Sequence, residues 1–229
     1  MKIFTQKFLI VLIVLALSWS TNLRASHIVG GEISIQYTGT ANTFSVSVIF
    51  FRDCGGAAFP GNITMNIYDL VTDVKSPSFP AGFVLNPGAV IPLTLGDGCY
   101  TPTLCIEKRV YSATIVIPSN PNGYYLDYTL CCRNAAITNI TAPGSASQTF
   151  YAEIPNPALG NSSPAFSVEP DGYMCQNYVN TDQFSATDAD GDVLVYSLTD
   201  PLNTGPKPYT PITWQAGYYT TNPIGDPGM

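Results

Sequence analysis

In Phe44-Ser45-Val46-Ser47-Val48-Ile49-Phe50-Phe51, apolar side chains alternate with serines and then run together. Period-two alternation places Phe44, Val46 and Val48 on one face of a strand, and β-branched and aromatic residues suit such a pleated surface. The signal recurs over residues 64–70, 111–117 and 124–130. Glycine and proline, 19 of each, punctuate these runs, at Gly55-Gly56, Pro60-Gly61, Asn86-Pro87-Gly88, Gly96-Asp97-Gly98 and Pro121-Asn122-Gly123. No window sustains a helical repeat. Short strands with turn signals about every ten residues predict an all-β chain, a sandwich or Greek-key barrel.

Outward from that core, the N-terminal end has a different character. Lys2 and Lys7 precede the apolar run 8–17, which gives way to small and polar residues up to Ala25. This order is that of a secretory signal, too short for a stable membrane span. Residues 1–25 are expected to be removed, with a cut after Ser20 as the alternative. No later stretch approaches the roughly 20 apolar residues that a membrane helix needs.

At the other end of the alternating runs, Ile154-Pro155-Asn156-Pro157 and Gly160-Asn161-Ser162-Ser163-Pro164 withhold ladder donors and break pairing. The expected division is 26–160 for a first domain and 161–229 for a second. Strands in the second are expected only around residues 183–186, 193–198 and 212–214. Either it is a truncated sandwich or these strands complete the first domain's sheets.

Without Lys2, Lys7 and Arg24 the chain has 6 basic and 16 acidic residues, which leaves no basic footprint for nucleic acid. The excess is uneven, with a net charge of −3 over 26–160 and −7 over 161–229, where Lys207 is the only base. Either the second segment is neutralised by something cationic or its surface is simply acidic and solvated. In an exported chain Cys54, Cys99, Cys105, Cys131, Cys132 and Cys175 read as disulfide candidates, with 15 pairings open. Cys131 and Cys132, adjacent in a strand-like run, are expected to point to opposite faces and take different partners. Cys99 and Cys105 bracket a turn and are candidates to close a small loop. A zinc site is the weaker reading, because the chain has one histidine and no pair of CxxC motifs.

The densest chemistry lies in Ala186-Thr187-Asp188-Ala189-Asp190-Gly191-Asp192, followed by Val193-Leu194-Val195-Tyr196-Ser197-Leu198. Three carboxylates at alternate positions, with a glycine that lets the backbone wrap, offer hard oxygens to one divalent cation. The irregular shell of Ca2+ suits them better than the strict octahedron of Mg2+. Asp188, Asp190 and Asp192 are therefore the metal candidates; the competing reading is a solvated acidic turn.

Asn161-Ser162-Ser163-Pro164-Ala165-Phe166, together with Phe184 to Asp192 and the run to Leu198, resembles the opening of a cadherin-type repeat. The resemblance implies structural Ca2+ that stiffens tandem domains, with Asp188 and Asp190 as first ligands and Asp192 next. The remainder resembles the N-terminal region of large secreted, gliding-motility-associated surface proteins of Bacteroidetes. The residues that carry it are Ser26-His27-Ile28-Val29-Gly30-Gly31-Glu32-Ile33, Phe51-Arg52-Asp53-Cys54, Cys131-Cys132-Arg133-Asn134, Ile137-Thr138-Asn139-Ile140 and 161–166. This resemblance implies immunoglobulin-like repeats, further domains in a longer parent chain and type IX secretion. The expected architecture is an immunoglobulin-like β-sandwich followed by a partial cadherin-like β-sandwich.

Ile28-Val29-Gly30-Gly31-Glu32 imitates the activated N-terminus of a trypsin-like protease. That chemistry needs a histidine base downstream, however, and the one histidine is His27, upstream. No G-x-S-x-G elbow exists either. The expectation is a non-enzymatic, secreted cell-surface protein for adhesion or matrix display. Its partners would be cell-surface proteins or glycans, and neither nucleic acid nor a membrane span is expected. Three other readings stay open: a carbohydrate-binding module with a tyrosine-lined groove, a structural spacer without ligand, and a hydrolase using paired carboxylates.

Overall fold

The computed structural model describes residues 28–93, 105–168 and 184–225. The signal segment, His27, Cys99 and Cys175 lie outside them. Seven strands, β1 (Ile28–Tyr37), β2 (Thr43–Asp53), β3 (Ile63–Asp69), β4 (Phe83–Leu93), β5 (Ile106–Val116), β6 (Tyr124–Leu130) and β7 (Gln148–Ile154), form one sheet. Their order is β1-β2-β5-β4-β3-β6-β7, and every neighbouring pair is antiparallel. The only helical elements among the described residues are 3-10 turns at Pro143–Ser145 and Pro157–Leu159. The chain is thus all-β and sandwich-type, with the sheet rolled nearly into a barrel.

The alternation in β2 does what its period requires. Phe44, Val46, Val48 and Phe50 are buried, while Ser45, Ser47 and Ile49 are only half-covered on the opposite face. The buried row meets Ile63, Met65 and Ile67 of β3, Leu85 of β4, Leu126 of β6 and Phe150 and Ile154 of β7 in a single cluster. Full burial of each such side chain contributes about 1.5–3 kcal/mol, so this cluster is the main driving force for rolling the sheet. Around Phe50 the rings of Tyr111, Tyr128 and Phe150 stand 5.6, 5.7 and 5.1 Å away.

Rolling brings β1 close to β7 at Gly31. A Cβ there would lie 2.9 Å from both the Phe50 and Phe150 rings, and against the Ile49 carbonyl oxygen. The Ile-Val-Gly-Gly-Glu segment is therefore the first strand of a sheet, and its second glycine is required by a close approach of rings.

One of two turn readings changes in the structure. Asn86-Pro87-Gly88 does not end a strand. It lies inside β4, where the register against β5 shifts between Pro87 and Val90. A bulge tolerates a residue without an N–H, and the Gly88 carbonyl accepts from Arg109 Nε at 3.0 Å instead. Pro121-Asn122-Gly123 does turn, with Gly123 at φ 76° and its N–H donating to the Asn120 carbonyl.

The cysteines also correct two expectations. Cys105 bonds to Cys54, with Cα atoms 5.3 Å apart, and does not close a loop with Cys99. The β2–β5 ladder runs to Asp53 and Ile106, which delivers the next residue of each strand face to face, and the Cys54 N–H donates to the Cys105 carbonyl. Cys131 and Cys132 are joined to each other and not to separate partners. β6 ends at Leu130, so pleat alternation does not govern them.

Beyond β7 the regular ladders give way to short pairings among the described residues. This part contributes one short ladder, β8 (Ala165–Phe166) with β9 (Ala186–Thr187), and isolated bridges such as Ile140 with Trp214. Residues 193–198 form no strand despite their composition. Alternating apolar residues favour a strand only when a neighbouring edge accepts the ladder, and none among the described residues does so here.

Two outcomes follow for stability. Gly31→Ala is expected to destabilise by about 1–3 kcal/mol, whereas Gly30→Ala, with nothing within 4 Å of its added carbon, leaves the denaturant midpoint nearly unchanged. Cys54 and Cys105 are 51 residues apart in sequence. In the chain-entropy account a crosslink over such a loop contributes about 4 kcal/mol. Replacing both by serine is expected to lower the unfolding free energy by most of that amount, as read from denaturant titration.

Candidate functional site

The linker stretch 161–166 and the acidic loop 186–192 are separated in the chain, and the fold joins them. After β7, Asn156 caps the 3-10 turn by accepting from the Ala158 N–H at 3.1 Å, and Gly160 turns at φ 67°. A side chain at Gly160 would strike the Tyr37 ring at 2.9 Å, so the chain passes tightly over the end of β1. Ser162 and Ser163 then run beside β1, whose only sheet neighbour among the described residues is β2. The Ile35 N–H donates to Ser163 Oγ at 2.8 Å, the Ser163 N–H to the Ile35 carbonyl at 2.7 Å, and the Tyr37 N–H to Ser162 Oγ at 3.1 Å. Gln36 Nε2 donates to the Ser163 carbonyl at 2.8 Å. The two serines satisfy a sheet edge that would otherwise present unpaired donors.

Two residues later Ala165 and Phe166 pair with Thr187 and Ala186, which brings in the acidic loop. Asp188 Oδ1 accepts from the backbone N–H groups of Asp190 at 2.9 Å and Asp192 at 3.1 Å, and Gly191, at φ 83°, allows the wrap. Asp190 Oδ2 accepts from the Ser162 N–H at 2.5 Å. Loop, linker and β1 edge thus form one chain of hydrogen bonds. Asp188 and Asp190 are engaged in it, whereas the Asp192 side chain is exposed. Among the described residues no three of His, Cys, Asp and Glu stand together as a group that could hold a metal.

A second cluster, which the sequence patterning does not indicate, lies on the outer face of β6. Alternation in Tyr-Tyr-Leu-Asp-Tyr-Thr-Leu assigns Tyr125 and Asp127 to the face away from the core, yet both are buried. Unbroken burial of a strand means that both faces are covered. The cover is the segment around residues 205–209: Lys207 Nζ lies 4.4 Å from the centre of the Tyr125 ring and 3.7 Å from Asp73, and Tyr209 donates its hydroxyl to Asp127 Oδ2 at 3.1 Å. Tyr68 stacks on Tyr125 at 4.9 Å, and Tyr151 stands 5.5 Å from Tyr125 and from Tyr209. The lone base of the acidic segment thus caps a tyrosine cluster. Tyr124 and Tyr125 are packing residues, not exposed contact surface.

Arg133, in the Cys-Cys-Arg-Asn stretch, fastens the same cover. Nε donates to the Ser147 carbonyl at 3.0 Å and Nη2 to the Leu202 carbonyl at 3.1 Å, while the Leu202 carbonyl also takes the Thr149 N–H of β7 at 3.2 Å. Ser147 N–H donates to Asn203 Oδ1 at 2.7 Å, and Asn139 Nδ2 to the Pro223 carbonyl at 2.7 Å.

The carboxylates are engaged by structural donors. Asp69 accepts from Asn120, Asn122 and the Thr72 N–H, and these bonds, with Asn120 the strongest influence, hold its pKa well below the usual carboxylate range. Asp200 accepts from Thr220 and from Trp214 Nε1, which lowers its pKa. Glu107 pairs with Arg52, whose guanidinium also lies over the Phe59 ring. Asp127 differs: burial pushes its pKa up, against the opposing pull of the Tyr209 hydroxyl and the Lys75 charge. Burial, together with the charge of Asp127 and their hydrogen bond, likewise raises the Tyr209 hydroxyl.

No protein-family model matches the chain, and no curated protein or solved structure matches it.

The raised Asp127 value has a definite sign. The folded state holds that proton more tightly than the unfolded chain, so the contribution to stability is full below the ordinary value of 3.8 and falls as pH rises through the raised value. Asp127→Asn keeps an acceptor for Tyr209 and removes the charge. The difference in melting temperature, variant minus wild type, is expected to increase as pH rises through that window and to be flat above it.

Proposed function

We propose that this chain is a non-enzymatic, secreted surface-display module for adhesion or matrix assembly, in which a rigid all-β body is joined stiffly to an acidic loop that takes Ca2+. The observation that carries the reading is the Asp190–Ser162 hydrogen bond, which locks the loop to the linker while the linker serines are locked to β1. A flexible spacer has no need for such a joint. A module that transmits position or force between neighbours does, and many weak modules in one parent chain would give avidity without a deep pocket.

The donor chemistry fits calcium: Asp188, Asp190 and Asp192 supply hard oxygens on a glycine-bearing turn. One oxygen of Asp188 and one of Asp190 already serve backbone N–H groups, and among the described residues the three carboxylates do not stand together, so a bound ion would have to draw them together. The resemblance to gliding-associated Bacteroidetes surface proteins and type IX export supports a cell-surface address. Among the described residues no helix is long and apolar enough to cross a membrane. The non-enzymatic reading is supported by the structural engagement of Asp69, Glu107, Asp127 and Asp200, which leaves them holding turns, strands and the C-terminal cover.

Calcium is the direct test. Millimolar Ca2+ is expected to raise the melting temperature of the native chain. Saturation to 100 times Kd corresponds to about 2.7 kcal/mol, or roughly 5–10 °C for a domain of this size. Asp188→Asn with Asp190→Asn keeps acceptors for the loop and linker N–H groups and is expected to abolish the shift. A calcium-independent melting temperature in the wild type would overturn the calcium part of the reading.

A further inference from the structure

Two parts of the surface have complementary unmet needs. β4 pairs with β3 only over Phe83–Leu85, and from Asn86 to Leu93 its ladder is with β5. Among the described residues no strand pairs with the other side of that second half. Ala89, Val90, Ile91 and Pro92 are exposed in succession, Val90 at 41% and Ile91 at 45%. Pro87 and Pro92 bracket the window, so an added strand meets main-chain donors and acceptors only between them.

The second part is the run Val193-Leu194-Val195-Tyr196-Ser197-Leu198. It has strand composition and no proline, glycine or charge, and among the described residues none of its backbone groups is hydrogen-bonded. Val193 is 92% exposed and Val195 90%. Six residues of high β-propensity held open in this way form a ready donor for an exposed edge. Tyr196 anchors the run at its middle, accepting from the Ala186 N–H at 2.9 Å, so the segment is presented from a fixed base.

Charge matches the two. Arg109 is the ladder partner of Val90, beside the acceptor edge, whereas Asp188, Asp190, Asp192 and Asp200 flank the donor run. Opposite charges around a short apolar pairing favour encounter and set its direction.

We propose that residues 193–198 of one copy add as a strand to the β4 edge at Gly88–Ile91 of a second copy. Donor and acceptor are different surfaces, so the contact is heterologous. A copy that donates keeps its own edge open, and copies join head to tail into linear chains. This association does not depend on the calcium reading above.

Light scattering on the mature chain over about 1–100 μM tests it, using Val195→Lys to disable the donor and Ile91→Lys to disable the acceptor. Both sites are exposed, and unchanged melting curves confirm that the variants fold. Wild-type mass is expected to rise with concentration beyond that of a dimer, and to fall back as salt is added. Each variant alone stays monomeric, whereas an equimolar mixture forms dimers and stops there, because one working donor meets one working acceptor. A wild type that stays monomeric overturns the proposal, as does a variant that associates like the wild type or a mixture that does not pair.

Discussion

The packing of Phe50 against Tyr111, Tyr128 and Phe150 holds two distant parts of the sheet in one place. β2 and β5 lie toward one end of the strand order, β6 and β7 at the other, and the rings meet only because the sheet rolls over on itself. Rolling brings β1 against β7, and Gly31 is the point where the approach leaves no room for a side chain. An aromatic core of this kind combines large apolar burial with the edge and offset geometries that rings prefer. The Cys54–Cys105 crosslink pins the far end of the β2–β5 pair, so that covalent and packing constraints act on the same two strands.

A rolled sheet that does not close leaves edges and an outer face, and the residues after β7 manage both. The linker serines take the free donors of β1, and the Leu202 carbonyl takes a donor from β7. The segment around residues 205–209 covers Tyr125 and Asp127 on the outer face of β6, so that a minor core of tyrosines forms opposite the main one. That arrangement places an acid in a dry setting, where a tyrosine hydroxyl and a nearby lysine offset its desolvation only in part. The acid-rich segment after residue 160 is therefore attached to the sheet by backbone carbonyls, by the side chains of Ser162, Ser163, Asn203 and Tyr209, and through Arg133 and Lys207.

The acidic loop and the donor run share this attachment. Asp188 folds the turn around its own backbone, Asp190 ties it to the linker, and Tyr196 holds the following run at the turn's base. A loop tied at so many points is a poor candidate for free motion and a good candidate for presenting a surface. Calcium capture and strand donation both need the same property, a peptide segment held ready in a defined place.

Much of the fold was legible in the residues themselves. The alternation from Phe44 to Phe50, the β-branched and aromatic runs and the Gly-Pro punctuation determined an all-β chain, the strands β2, β3, β5 and β6, and the break after Ile154, because strand periodicity and turn chemistry are local. The acidic loop and its tight wrap were local as well. Partners were not. Whether Cys105 joins Cys99 or Cys54, whether Asn86-Pro87-Gly88 turns or bulges, and whether residues 193–198 find a ladder all depend on which edges the rolled sheet brings within reach. The burial of Asp127 and the meeting of Ser162 with Asp190 belong to the same class. Those contacts join residues separated by tens of positions, and only the tertiary structure, by rolling the sheet around Phe50, decided which of them form.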